Sequence, residues 1–171
     1  MQPGRSESAI MTSAEQARFR IDRPNSRPRA TLVIALDARG AATLAALKDR
    51  SWTAAKFLRY GHARRASQHL PSLRIDAIVL DEAGNELSLM KQLAGVDAVI
   101  MLTATDAAEA AEIIGNACAA RGIAATGLVL APEQGAEALG QIVATLRPHT
   151  AMLVVSSSDD YAAEMLSALR A

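Results

Sequence analysis

From Thr31 onward, short aliphatic and β-branched runs alternate with longer stretches of helical periodicity, and this alternation is what most restricts the fold. Thr31–Leu36 (TLVIAL), Ala77–Leu80 (AIVL), Ala98–Leu102 (AVIML), Ala124–Leu130 and Met152–Val155 read as strands, and Trp52–Leu58 as a further one. Helical stretches fall between them: Ala41–Asp49, His62–His69 stopped by Pro71, Glu86–Leu93, Asp106–Arg121 closed by Gly122, Gln134–Leu146 ended by Pro148, and Asp159–Leu169. Glu82-Ala83-Gly84-Asn85 is a turn signal. Repeated strand–helix–strand units imply an α/β fold, a three-layer αβα Rossmann-like sandwich around a six-stranded, mainly parallel sheet. Continuous apolar runs belong to strands covered on both faces, which makes Thr31–Leu36 and Ala98–Leu102 adjacent and central.

One domain suits a chain of 171 residues. Residues 1–29 are rich in Ser, Arg and Pro without sustained periodicity, and read as a disordered basic tail; the domain runs from 30 to 171. The tail carries six Arg against three acidic residues, so the rest of this neutral chain is mildly acidic. Half the residues are hydrophobic but only 3% are aromatic, so the core is built from Ala, Leu, Ile, Val and Met. Few stacking platforms and a net charge of zero argue against a nucleic-acid partner. No apolar run has the length of a membrane span, and residues 1–29 contain no apolar signal segment, so a cytoplasmic protein without a membrane partner is expected. Cys118 is the only cysteine, which rules out a disulfide within the chain and a cysteine metal cluster.

In parallel α/β sheets, ligands sit at the carboxyl ends of the strands, near the point where strand order reverses. That rule nominates the loops 37–40, 103–106, 131–133 and 156–160. In the first, Asp37, Arg39 and Gly40 stand where a dinucleotide fingerprint would have several glycines; one glycine remains, and Asp37 repels phosphate. An ordinary turn before a helix explains the same residues. Thr103, Thr105 and Asp106 open the longest helix, where Thr105 or Asp106 serves as N-cap or the helix amides meet an anion. Ser156, Ser157, Ser158 and Asp159 form the most polar strand end, either a cap for the last helix or the hydrogen-bonding floor of a pocket. His62, His69 and His149 lack a metal-ligand pattern, and Cys118 lies among Ala and Ile as a small core residue. No catalytic motif is present, and the residues name no cofactor.

The stretch from about Gly95 to Met165 resembles the nucleotide-binding domain of the bacterial cell-division GTPase FtsZ and its tubulin relatives. The likeness lies in Val96–Ala104 (VDAVIMLTA), in Ile113–Gly122 with Gly127–Pro132, and in Leu146–Val155 followed by Ser156–Tyr161. Thr31–Ala42 and Trp52–Tyr60 stand where that family has its first two strands. The resemblance implies the sheet order 3-2-1-4-5-6 and assigns Asp159 to a base-pocket position. It also exposes a departure. The family's phosphate-wrapping GGGTGTG is replaced by Thr105-Asp106-Ala107-Ala108-Glu109-Ala110, and GTP hydrolysis is not expected.

The leading expectation is therefore a non-catalytic FtsZ-like domain that works by self-association, as a dimer, or by binding a protein partner. The alternative is a small Rossmann-type enzyme or ligand-binding protein using the strand-end crevice for a nucleotide or small organic acid. Tyr161, Met165, Leu166 and Leu169 recur at helical spacing, giving the last helix either an association face or a face packed on the sheet.

Overall fold

The computed structural model describes residues 27–65, 75–131, 135–158 and 160–171. The elements run β1 (Thr31–Ala35), α1 (Ala38–Lys48), β2 (Ala55–Arg65), β3 (Ile75–Leu80), β4 (Glu86–Ser88), α2 (Leu89–Gln92), β5 (Ala98–Thr103), α3 (Ala108–Ala119), β6 (Ala124–Leu130), α4 (Ala136–Leu146), β7 (Met152–Ser156) and α5 (Tyr161–Leu169). A short 3-10 turn, Arg147–His149, joins α4 to β7.

Seven strands form one sheet in the order β4-β3-β2-β1-β5-β6-β7. The six expected strands stand in the expected order, and β4 is an additional edge strand. β2, β1, β5, β6 and β7 are parallel, whereas β3 and β4 are antiparallel to their neighbours. β1 and β5 are adjacent, Thr31 opposite Ala98 and Ala35 opposite Leu102, and every residue of both is buried. Their unbroken apolar runs follow from a helix layer on each face. Side chains alternate across a strand, so Leu32, Ile34, Val99 and Met101 pack with Leu89 of α2 and Ile113, Ile114 and Cys118 of α3. Val33, Ala35, Ile100 and Leu102 face the other way, onto Leu44 and Leu47 of α1 and Ala162, Ala163 and Leu166 of α5. Ile142 and Leu146 of α4 close the first face over Val129 and Ala111.

Three expected elements differ. The second strand begins at Ala55, and Trp52 instead turns back to donate its indole N–H to Leu47 O at 2.7 Å. That strand then continues to Arg65, through the start of the helix expected over His62–His69; residues 66–69 and Pro71 lie outside the described residues. The cause is pairing: Arg59–Arg65 runs against Ile75–Leu80, with the register shifting between Tyr60 and His62. Gly61 sits at that shift because a Cβ there would lie 2.9 Å from Ile78 O. The helix expected over Glu86–Leu93 keeps only Leu89–Gln92, since Glu86–Ser88 pairs with β3. Asp76 of β3 fixes the change of direction, accepting from Ser88 Oγ at 2.6 Å and Met90 N at 3.2 Å.

The expected stripe on the last helix packs inward. Leu166 is buried, and Tyr161, Met165 and Leu169 lie against the same cluster as β1 and β5, so this stripe is core and offers no association face. Of the residues expected in the tail, Arg27 pairs with Asp97 at 2.7 Å and Arg29 N donates to Leu169 O at 3.3 Å. No helix among the described residues is long and apolar enough to cross a membrane.

Candidate functional site

Strand order reverses between β1 and β5: the chain leaves β1 toward β2 and leaves β5 toward β6. The crevice above these two strands is where such a sheet places a ligand. Asp37, half-buried at the end of β1, fills it. One carboxylate oxygen accepts Gly40 N–H at 2.7 Å, which makes Asp37 the N-cap of α1. The other oxygen accepts Ala104 N–H at 2.6 Å, Thr105 N–H at 2.9 Å and the Thr105 hydroxyl at 2.9 Å. The Thr103 hydroxyl lies 2.8 Å from that oxygen and 2.8 Å from Thr105 O, and donates to one or the other. Burial pushes the Asp37 carboxyl up, but the amides of Gly40 and Ala104 and the hydroxyls of Thr103 and Thr105 outweigh it and hold the group below its ordinary value. It is an anion in its own donor cradle.

Gly40 has a separate reason. A Cβ at this position would lie 2.6 Å from Leu102 O, so glycine lets α1 approach the end of β5. Arg39 is exposed on the first turn of α1.

The β5–α3 loop departs from the capping expectation. Thr105 turns to Asp37, Asp106 is exposed, and the N-cap of α3 is Ala107, with no side-chain bond to the helix amides. Beside this uncapped end lies an open cleft of about 350 Å3, lined by Leu36, Tyr60, Thr105, Asp106 and Glu109 among others. The Tyr60 hydroxyl donates to Glu109 Oε1 at 2.7 Å. Burial first, then the bond and charge of Glu109, push the Tyr60 phenol far above its ordinary 10.0. Tyr60 escaped the sequence reading because its place depends on the strand irregularity beside Gly61. Its rarity, as one of two tyrosines, was the available signal.

The serine loop is self-contained. Buried Ser156 donates its hydroxyl to Ser158 O at 3.0 Å and accepts Ser158 N–H at 3.1 Å. Ser158 Oγ accepts Asp160 N–H at 3.2 Å at the entrance to α5, while Ser157 is exposed. Asp159 and residues 132–134 lie outside the described residues. The structure thus brings Asp37, Gly40, Thr103 and Thr105 together and leaves Ser156–Ser158 apart, at the end of β7, with β6 between. Neither Asp37, Arg39 nor the serines line the cleft.

Among the described residues no group of three His, Cys, Asp or Glu side chains is placed to hold a metal ion. Cys118 is buried in α3, and desolvation pushes its thiol up to about 11, which marks it as an inert core residue. No protein-family model matches the chain, and no curated protein matches it in sequence.

Proposed function

We propose that the chain is a non-catalytic FtsZ-like domain that acts by associating with itself or with a protein partner. The observation that carries this reading is the Asp37 carboxylate, which takes the donors an α/β sheet of this order would offer a phosphate. The loop that follows β5 adds Asp106 and the first turn of α3 adds Glu109, so the approach to the crevice is acidic as well as filled. The likeness of residues 95–165 to the FtsZ and tubulin domain, and the agreement of the sheet order with it, support the family part of the reading.

Thermal unfolding with and without GTP tests the first half. With the cradle occupied, 1 mM GTP adds less than about 0.4 kcal/mol, the linkage expected for a dissociation constant weaker than that concentration. A clear stabilisation by GTP overturns it. Sedimentation of the full chain, alone and with extract proteins crosslinked to it in the cell, tests the second half.

The alternative of a small-ligand protein has the cleft beside Tyr60 in its favour. Its carboxylates, Asp106 and Glu109, disfavour a nucleotide phosphate or an organic acid there, and suit a ligand that donates hydrogen bonds.

A further inference from the structure

The two edges of the sheet are built differently. β4 is three residues long and begins with an exposed Glu86, two devices that keep a sheet edge from pairing with another chain. β7 has neither. Its five residues, MLVVS, contain no charge and no proline, and its register with β6 is regular throughout. No charged residue occurs from Thr150 to Ser158. Met152 and Val155, 51% and 45% exposed, are the exposed large hydrophobics among the described residues, and both lie on this strand.

α4 packs over this end of the sheet, its partly buried Leu139 beside Leu153 of β7. Its buried stripe, Ile142 and Leu146, faces the sheet. Ala136, Gly140 and Ala144, spaced i, i+4, i+8 along one flank, are exposed, together with Glu137 and Gln141. α3 packs beside α4. This flank is open to solvent, with no heavy atom within 4 Å of a Cβ placed at Gly140.

Resting on the association reading above, we infer that β7 and this flank of α4 form a two-fold interface with a second copy of the chain. The strand is complementary to itself. Ser156 O accepts Ala131 N–H from the β6 side, so by alternation Leu153 and Val155 direct their backbone groups outward. In an antiparallel register centred on Val154, Leu153 of one copy stands opposite Val155 of the other, and these outward groups meet each other. Met152 then stands opposite Ser156, and both exposed hydrophobes are covered. A second copy meets no like charge along the strand, whereas a charged partner finds nothing on it to select. A five-residue strand pair alone is narrower than the ~1,200 Å2 of a stable interface, and the two α4 flanks, lying side by side over the joined strands, supply the remainder; Ala and Gly there permit close helix approach.

The test is sedimentation of the full chain from about 10 to 100 µM, with Val155→Lys and Gly140→Glu beside it. The expected result is a mass twice the 18.0 kDa of the chain for the native protein and the single-chain mass for both variants, with unchanged circular dichroism. If either variant is misfolded, Val154→Cys under oxidation replaces it; a disulfide-linked dimer is expected, because Val154 faces its own copy across the axis. A native dimer that persists in the folded variants, or that Val154→Cys fails to link, overturns this interface and leaves self-association standing. A native monomer at every concentration overturns the second copy as occupant and leaves only the partner half of the association reading, which the crosslinking then decides.

Discussion

Thr105 donates twice to Asp37, through its backbone N–H and its hydroxyl, both at 2.9 Å to the same carboxylate oxygen. The two residues lie on loops 68 positions apart in sequence, after the two central strands, and the contact bridges the point where the sheet changes direction. A bond of this kind explains why the crevice is closed without any bulky side chain. The charge that a ligand would bring is already present, as part of the fold.

Asp37→Ala should therefore destabilise the domain. It removes the N-cap of α1 and leaves the amides of Ala104 and Thr105 without their anion. A lost cap and lost charge-assisted bonds together cost about 2–4 kcal/mol. Urea unfolding measures this directly. A loss below about 0.5 kcal/mol, the range of ordinary surface substitutions, would mean that water replaces the carboxylate without penalty.

The same contact sets an acid dependence. The folded-state carboxyl of Asp37 titrates below its ordinary value of 3.8, so the unfolded chain takes up the proton first as pH falls. Its contribution is complete above about pH 5, declines through the ordinary carboxyl range and is gone below the folded-state value. Asp37→Asn lacks this titration. The difference in unfolding free energy between native protein and Asp37→Asn should shrink steadily from pH 5 downward. A difference that stays constant from pH 6 to pH 2 would show that the carboxylate is not stabilised by its donors.

Gly40→Ala probes the second contact at this corner. The added methyl meets Leu102 O at 2.6 Å, a backbone atom of a buried strand that has no room to move. Overpacking of this kind costs about 1–3 kcal/mol. Gly40→Ala should lower the melting temperature even though alanine is the better helix former, and hydrogen exchange should quicken in α1 before α3. An unchanged or raised melting temperature would show that α1 can lift from β5 freely.

β1 and β5 were the most legible strands, because neighbours on both faces leave a mark in each strand's own residues. Leu32, Val33 and Ile34 are all apolar for that reason, and so are Val99, Ile100 and Met101. The continuation of β2 was not legible. Gly61, His62 and Ala63 are strand residues because Ala77 and Ile78 lie opposite, and that information sits in another segment. The helix expected over Glu86–Leu93 was shortened for the same reason, by Asp76 twelve residues before Ser88. At the site, the loops after β1 and β5 follow from the strand pattern, but Thr105 was expected to serve its own helix. A local cap and a distant carboxylate competed for one hydroxyl, and only the fold shows that Asp37 wins. The stripe on α5 posed the matching problem: periodicity gives an apolar face but not what covers it, and here the sheet does.

The remaining prediction concerns Tyr60 and Glu109, the pair that sequence reasoning missed. Burial is the larger cause of the raised phenol, and the Glu109 carboxylate, which accepts its proton at 2.7 Å, adds to it. Alkaline absorbance titration should show one of the two tyrosines resisting ionisation well past 10.0 while the domain stays folded. Glu109→Gln removes the charge but keeps a hydrogen-bond acceptor, so the transition should move part of the way back toward the ordinary value. Tyr60→Phe should abolish the late transition and cost about 0.5–1.5 kcal/mol, since the lost bond has a charged partner but lies near solvent. The direction matters to the cleft. A phenol that keeps its proton, next to Glu109 and Asp106, offers acceptors and no free positive charge. Should Tyr60 instead ionise in the ordinary range, neither the burial of the phenol nor its bond to Glu109 would hold in solution.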